Sequence, residues 1–238
     1  MLEDTPTQVK EAEPVIAEPE KPCGVVAVCA GDGLAAVFRD LGVDGIISGG
    51  QTMNPSTQDI LAAVNKVPAE TVYVLPNNKN IIMAAEQVDA ISPKHVVVIP
   101  SKTVPQGITA MLSFNSDGEE TENVEAMTEA LATVDTMQIT YAARNSDFDG
   151  YDIHEGDYLA MCGSSLFGNS RDIKVLLRAL AEKVRDDEKT YITIYYGADI
   201  KEKQAKTAEK IFCELCPDAD VNLISGGQPV YYYMISAE

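Results

Sequence analysis

The sequence predicts a two-lobed α/β protein, with a parallel sheet covered on both faces in the first lobe and mixed α/β structure in the second. Three observations predict it. From residue 24 onward, short β-branched runs alternate with helical stretches. The runs are apolar throughout rather than at every second position, as strands buried on both faces require. A polar, acidic break at Asn115–Glu122, NSDGEETE, then divides the pattern into two halves. The length of 238 residues suits one large domain or two small lobes.

In order, the first strand is expected at Gly24–Ala30, followed by GDG and a helix over Leu34–Leu41. The second spans Asp44–Ile47 and runs into SGGQTMNPST and a helix ending at Lys66. The third, Thr71–Leu75, leads through PNNKN to a helix from Ile81; the fourth, His95–Ile99, leads through PSKTVPQG to a helix from Ile108. Right-handed crossovers put every loop that follows a strand on one edge of this Rossmann-like sheet. The second half is expected to hold a helix at Asn123–Thr133 and a strand at Met137–Ala143, then a turn-rich stretch, RNSDFDGYDIHEGD. A strand at Tyr158–Met161, a helix at Asp172–Val184 and a strand at Tyr191–Tyr195 come next. A helix at Lys201–Cys216, a strand from Val221 and strand-like Tyr231–Ile235 complete the pattern. The lobes are thus 23–115 and 116–238. Residues 1–22, rich in Pro, Glu, Thr and Ala, are expected to be a disordered acidic linker. A linker at the start of a chain suggests a segment before it, so a piece of a longer protein is expected.

Composition narrows the function. The 18 basic and 37 acidic residues give 18 − 37 = −19, a field that repels phosphate backbones and anionic lipid, so neither nucleic acid nor membrane surface is an expected partner. No apolar run approaches the roughly 18 residues of a membrane span, and the first ten residues, MLEDTPTQVK, lack a signal-peptide pattern, so a cytoplasmic location is expected. The five cysteines have no framework spacing and read as reduced, mostly core thiols. Cys213-Glu-Leu-Cys216 is a CxxC, but it closes a helix before Pro217, at the dipole end that disfavours a thiolate. His95 and His154 stand alone without metal-ligand spacing, and no metal site is expected. Asp147, Asp149, Asp152 and Asp157 read as turn residues rather than a cation site.

Gly31-x-Gly33 opens a helix after a strand, the local setting of a dinucleotide fingerprint. Asp32 would face the pyrophosphate and no acidic residue ends the second strand, so tight turns explain these glycines better. The more telling feature is amide and hydroxyl density after the strands. It comprises Gln51, Thr52 and Asn54 with Ser56 and Thr57; Asn77, Asn78, Lys79 and Asn80; and Ser101, Lys102, Thr103 and Gln106. Helix caps account for some of these, notably Ser56 or Asn80. Gln228 belongs with them, because ISGGQ occurs at 47–51 and again at 224–228, each time ending a strand. Such loops can bind a small polar ligand, can present a fixed shape to a partner, or can serve only to lock the lobes. Acid–base groups are few, so binding ranks above catalysis and no catalytic residue is expected.

At these residues the sequence resembles the C-terminal domain of the catalytic chain of fatty acid kinase, one of the dihydroxyacetone-kinase-like proteins. The motifs are GGQTMNPST (49–57), LPNNKNI (75–81), VIPSKTVPQGITAML (98–112), FDGYDIHEGDYLA (148–160) and GGQPVYYYMIS (226–236). The resemblance implies a DegV-like fold and a module of lipid metabolism that works by protein–protein interaction. In that family a kinase domain phosphorylates, from ATP, the carboxylate of a fatty acid carried by a DegV-like binding protein. The D-G-D-x-G motif of the kinase domain is absent from this chain. ATP and Mg are therefore expected only in a kinase domain elsewhere, and no cofactor here. The resemblance implies docking of the fatty-acid-binding partner and a homodimer; the alternative is a domain that binds a fatty acid or acyl phosphate, or acts on it, in the amide-rich cleft.

Overall fold

The computed structural model describes residues 16–50, 53–148 and 150–238. The first sheet is parallel, in the order β2-β1-β3-β4, built from β1 (Lys21–Cys29), β2 (Gly45–Ser48), β3 (Ala69–Leu75) and β4 (His95–Val98). The helices α1 (Asp32–Asp40), α2 (Thr57–Lys66), α3 (Ile82–Asp89) and α4 (Val104–Leu112) connect or follow these strands, and α5 (Glu120–Thr133) comes next. The second sheet holds β5 (Asp135–Tyr141), β8 (Tyr158–Cys162), β9 (Ser165–Ser170), β10 (Tyr191–Tyr196), β11 (Asp220–Ser225) and β12 (Tyr233–Ala237), in the order β11-β10-β12-β5-β8-β9. It is mixed: β10 and β11 are parallel, and the remaining pairs antiparallel. Helices α6 (Ile173–Asp186) and α7 (Glu202–Leu215) cover it.

The continuous apolar runs have a simple cause. Along β1, Val26 and Val28 join the core under α2 and α3, whereas Val25, Ala27 and Cys29 join the core under α1, α4 and α5. Successive side chains point to opposite faces and both faces are covered, so no polar alternation survives. The second core also takes in Tyr195 of β10 and Met234 of β12. A helical layer is therefore shared by the two sheets, and α4, with six of its nine residues buried, is apolar nearly all round. Helix α5, which the sequence pattern assigns to the second lobe, packs on α4 and sends Met127 and Leu131 into this shared core.

Several boundaries differ from expectation. Residues 1–15 lie outside the described chain. Beyond them, Ala17 N–H donates to Asn65 O at 2.8 Å, Glu20 N–H donates to Pro68 O at 2.9 Å, and β1 begins at Lys21. The stretch 16–22 of the expected linker is thus held against the α2–β3 turn, and Lys21 reaches Asp44 at 2.5 Å; its polar composition hid the pairing with β3. Helix α4 starts four residues before Ile108, because Thr103 caps it and Pro105 fits its first turn. The turn-rich stretch holds a hairpin, β6 (Ser146–Phe148) paired with β7 (Tyr151–Ile153), so Asp147 and Asp152 sit on strands, directly opposite each other. Asp149 lies outside the described residues. Strand β9 is an addition to the expected elements: SLFGNS has neither alternation nor a β-branched run.

Candidate functional site

Between the lobes lies a cleft of about 770 Å3. One wall comes from the first lobe, where Asn78, Lys79 and Asn80 follow β3 and Lys102, Thr103 and Gln106 follow β4. β3 and β4 are neighbours in a parallel sheet, so these two loops emerge side by side at its carboxyl edge. The opposite wall comes from β5, the β8–β9 turn and the end of α6, which contributes Lys183 and Asp187, with Lys189 just beyond.

Each loop is held by its own hydrogen bonds. Asn77 has φ 54°, the left-handed region that asparagine tolerates. Its Nδ2 donates to Val28 O at 2.9 Å, its Oδ1 accepts from Ser101 Oγ at 2.8 Å, and Ser101 Oγ in turn accepts from Asn77 N–H at 3.0 Å. Asn77 and Ser101, 6% and 0% exposed, therefore spend their polar groups tying the two loops to β1 and to each other. Asn78 Oδ1 accepts from Asn80 N–H at 2.9 Å, an Asx turn that leads into α3. Asn80 is not the cap of α3: Ile81 occupies that position, whereas Ser56 does cap α2 in a reciprocal box with Asp59. Thr103 caps α4 and its hydroxyl meets that of Thr136 on β5 at 2.8 Å. Gln106 accepts from Lys102 N–H at 2.8 Å and donates to Leu131 O at 3.0 Å.

The first expected cluster is not part of this wall. Asn54 is exposed and lines neither this cleft nor a smaller cavity of about 40 Å3 beside it, while Gln51 and Thr52 lie outside the described residues. The reason is strand order: β2 and β4 are the two edges of the sheet, about three strand spacings of roughly 4.8 Å apart. Gln228 lines the smaller cavity together with Gly49 and Gly50, so the two ISGGQ loops do meet there. Gln228 Nε2 donates to Tyr195 O at 2.9 Å.

The GDG turn has a stronger reason for its glycines than a tight turn alone. A Cβ at Gly33 would strike the Ser225 carbonyl, and one at Gly31 would strike the Gly226 carbonyl. The turn lies directly against the loop after β11. Asp157, one of the four acidic turn residues, is 4% exposed and accepts from Arg171 Nε at 2.6 Å and from His154 N–H at 2.8 Å. The His154 N–H first, then Asn169 and Arg171, holds its carboxyl below the usual carboxylate range. The cysteines are free thiols; in the CxxC, Cys213 is exposed and Cys216 buried, and burial raises both pKa values.

The electrostatics of the cleft have no local sequence signal. Lys183 pairs with Asp187 at 2.6 Å and Lys189 with Asp135 at 2.8 Å, all four contributed by the half of the chain after residue 116. No motif marks these residues. Tyr231 borders both cavities, and burial pushes its phenol up to about 12, so it stays neutral.

Residues 24–238 match the FakA-like C-terminal family of fatty acid kinase. The chain belongs to that family. Among its relatives, Protein YloV of Bacillus subtilis (strain 168) is 40% identical over 219 residues, covering 92% of this chain and 40% of that protein. Uncharacterized protein SAR1202 of Staphylococcus aureus (strain MRSA252) is 33% identical over 214 residues, 90% of this chain and 39% of the relative. The chain spans about two fifths of the length of these curated relatives.

Solved structures show that this family member has a DegV-like fold. The DegV family protein Cg2579 from Corynebacterium glutamicum superposes with TM-score 0.68 at 16% identity, over 91% of this chain and 97% of that one. The Streptococcus pneumoniae Fatty Acid Kinase (Fak) B3 protein loaded with linoleic acid gives 0.60 at 12% identity, over 91% and 99%. The dihydroxyacetone kinase from C. freundii in complex with AMP-PNP and Mg2+ gives 0.58 at 12% identity, over 91% of this chain but 48% of that chain. Among the described residues, no helix is long and apolar enough to cross a membrane.

Proposed function

We propose that this chain is the docking module of a fatty acid kinase system. It holds a fatty-acid-binding DegV-like partner so that a kinase domain outside this chain transfers the γ-phosphoryl group of ATP to the acyl carboxylate. The observation that carries the reading is the family match over residues 24–238, joined to a DegV-like fold. The structures that share this fold include proteins described as fatty-acid-binding or loaded with a fatty acid.

The geometry supports docking in a particular way. Asn77, Ser101 and Gln228 are buried and committed to internal bonds, and Thr103 and Gln106 tie α4 to β5 and α5. They act as a frame. Asn54, Lys79, Asn80 and Lys102 lie on loops beside that frame, and these are the side chains proposed to meet the partner. A pre-organised rim loses little conformational entropy on binding, which favours affinity. ATP and Mg belong, in this reading, to the kinase domain, and the chain works as a homodimer in the cytoplasm.

Titration calorimetry of this chain with the fatty-acid-loaded partner tests the proposal. Saturable binding, weakened by Lys79→Glu or Asn80→Ala in folded variants, is the expected result, with no ATP consumption by the chain alone. Absence of any heat or mobility shift with loaded partner, or ATP turnover by the isolated chain, refutes it.

A further inference from the structure

Four lysines line one cleft of a chain whose net charge is −19: Lys79, Lys102, Lys183 and Lys189. Lys183 and Lys189 are neutralised by Asp187 and Asp135 within the same wall. Those two carboxylates are thereby covered and do not oppose an incoming anion. Lys79 and Lys102 have no ion pair among the described residues, and they stand on the adjacent loops after β3 and β4. A group placed between these loops therefore meets two uncompensated positive charges.

A second, independent observation points to a ligand at the same place. Asn78 lines the cleft and is only 4% exposed. Its Oδ1 is taken by Asn80 N–H, but its Nδ2 is enclosed and has no hydrogen-bond acceptor among the described residues. A buried donor without a partner is rare, because its desolvation goes uncompensated; an oxygen supplied by a bound molecule removes that cost. The helix α4 begins beside it at Thr103 and adds the positive end of its dipole. Val134, Met137, Met161 and Val184 give the cleft an apolar part. Its volume lies within the range of small-molecule sites, well above that of a bare ion.

We propose that the cleft binds a small molecule bearing a dianionic phosphate group, its oxygens held by the Lys79 and Lys102 ammonium groups and by Asn78 Nδ2. Two unpaired cations match a dianion better than a monoanionic carboxylate, and charge-assisted bonds to phosphate are the strong kind. The assignment rests on the cleft alone and does not depend on the docking reading.

The test uses the chain without any partner protein, so its outcome is separate from that of docking. Hexyl phosphate, hexanoate and inorganic phosphate are titrated at constant ionic strength while amide and side-chain NH2 resonances are followed by NMR. Saturable shifts at Asn78, Lys79 and Lys102 are expected, with hexyl phosphate binding about tenfold or more tightly than hexanoate. Lys79→Ala and Lys102→Ala should each weaken hexyl phosphate by about tenfold. Asn78→Asp keeps the acceptor for Asn80 N–H but replaces the donor with a negative oxygen, and should abolish binding. Far-UV circular dichroism and thermal melting confirm that the variants are folded, and the lysine variants keep the test valid if Asn78→Asp unfolds. No saturable shift with hexyl phosphate, equal binding of hexanoate, or unchanged affinity in the folded Lys79→Ala/Lys102→Ala double variant overturns the proposal.

Discussion

The N–H of Leu34 donates to the carbonyl oxygen of Gly226 at 3.1 Å, joining the turn that opens α1 to the loop that follows β11. The bond is possible only because the backbones approach closely, and Gly31 and Gly33 on one side face Ser225 and Gly226 on the other without room for a Cβ. The two sheets are therefore fastened by main chain as well as by the shared helical core. The cleft lies between lobes secured in this way.

Gly33→Ala should destabilise the protein by about 3 kcal/mol, since the new methyl meets a carbonyl oxygen rather than a flexible side chain. Gly42→Ala provides the contrast. Gly42 has φ +91° but nothing within 4 Å, so its cost is the backbone strain alone, roughly 1–2 kcal/mol. Urea unfolding of both variants checks the order; an equal loss would deny the close approach its role.

Asn77→Ala should cost about 2–4 kcal/mol, because Val28 O and Ser101 Oγ lose their partner while the backbone remains left-handed. Ser101→Ala should cost less, roughly 1–2 kcal/mol, since the Asn77 bond to Val28 survives. Denaturant midpoints of the two variants measure the difference, with Ser101→Ala the milder.

His95 links β4 to α5 through Glu120 at 3.1 Å and faces Asp89 at 3.5 Å. Its pKa is raised, first by the hydrogen bond to Glu120 and also by the charges of Glu120 and Asp89, with burial opposing. A folded-state pKa above the unfolded value of about 6.5 means the stabilisation is complete below that value and fades as pH rises through the folded pKa. Half-exposed side chains keep the effect small. Melting temperature compared between pH 5.5 and pH 8.5 should therefore fall less in His95→Gln than in the unmodified chain.

Alkylation should order the thiols. Cys213 is exposed and is expected to react first, more slowly than a free thiol because burial and then Glu209 raise its pKa. Cys29, pushed up to about 11 by burial, and Cys216, whose Sγ bonds to Ala181 O, should be protected until unfolding. Mass spectrometry of timed iodoacetamide reactions reads this directly. Early modification of Cys216 would contradict the packing of α7.

Much of the fold was legible because burial on both faces leaves a local trace. VVAVC and VYVL are unbroken apolar runs, and the second leads directly into the amide-rich loop that the carboxyl edge of a parallel sheet exposes. The hairpin β6–β7 and strand β9 left no such trace. Ser146–Phe148 is exposed along its length, and β9 keeps only Leu166 fully inside, so neither run has a periodic apolar signal. The second-lobe half of the cleft was invisible for a related reason. Lys183 and Lys189 lie on or just after an amphipathic helix with an ordinary charged face, and nothing local says which lysine ends beside a cavity.

The sequence by itself determined which segments become most of the strands and helices, that the first sheet is parallel and covered, and which loops carry polar groups. These depend on neighbours within a few residues. Tertiary structure decided that α5 packs with the first lobe, that the loop after β2 stands apart from those after β3 and β4, and that the GDG turn meets the loop after β11. It also decided that, among the described residues, Asn78 Nδ2 is left without an acceptor in the cleft that Lys79 and Lys102 line. The physical reason is that hydrogen-bond satisfaction, close backbone approach and charge compensation depend on groups far apart in the chain, which only the packed molecule brings within a few ångströms of one another.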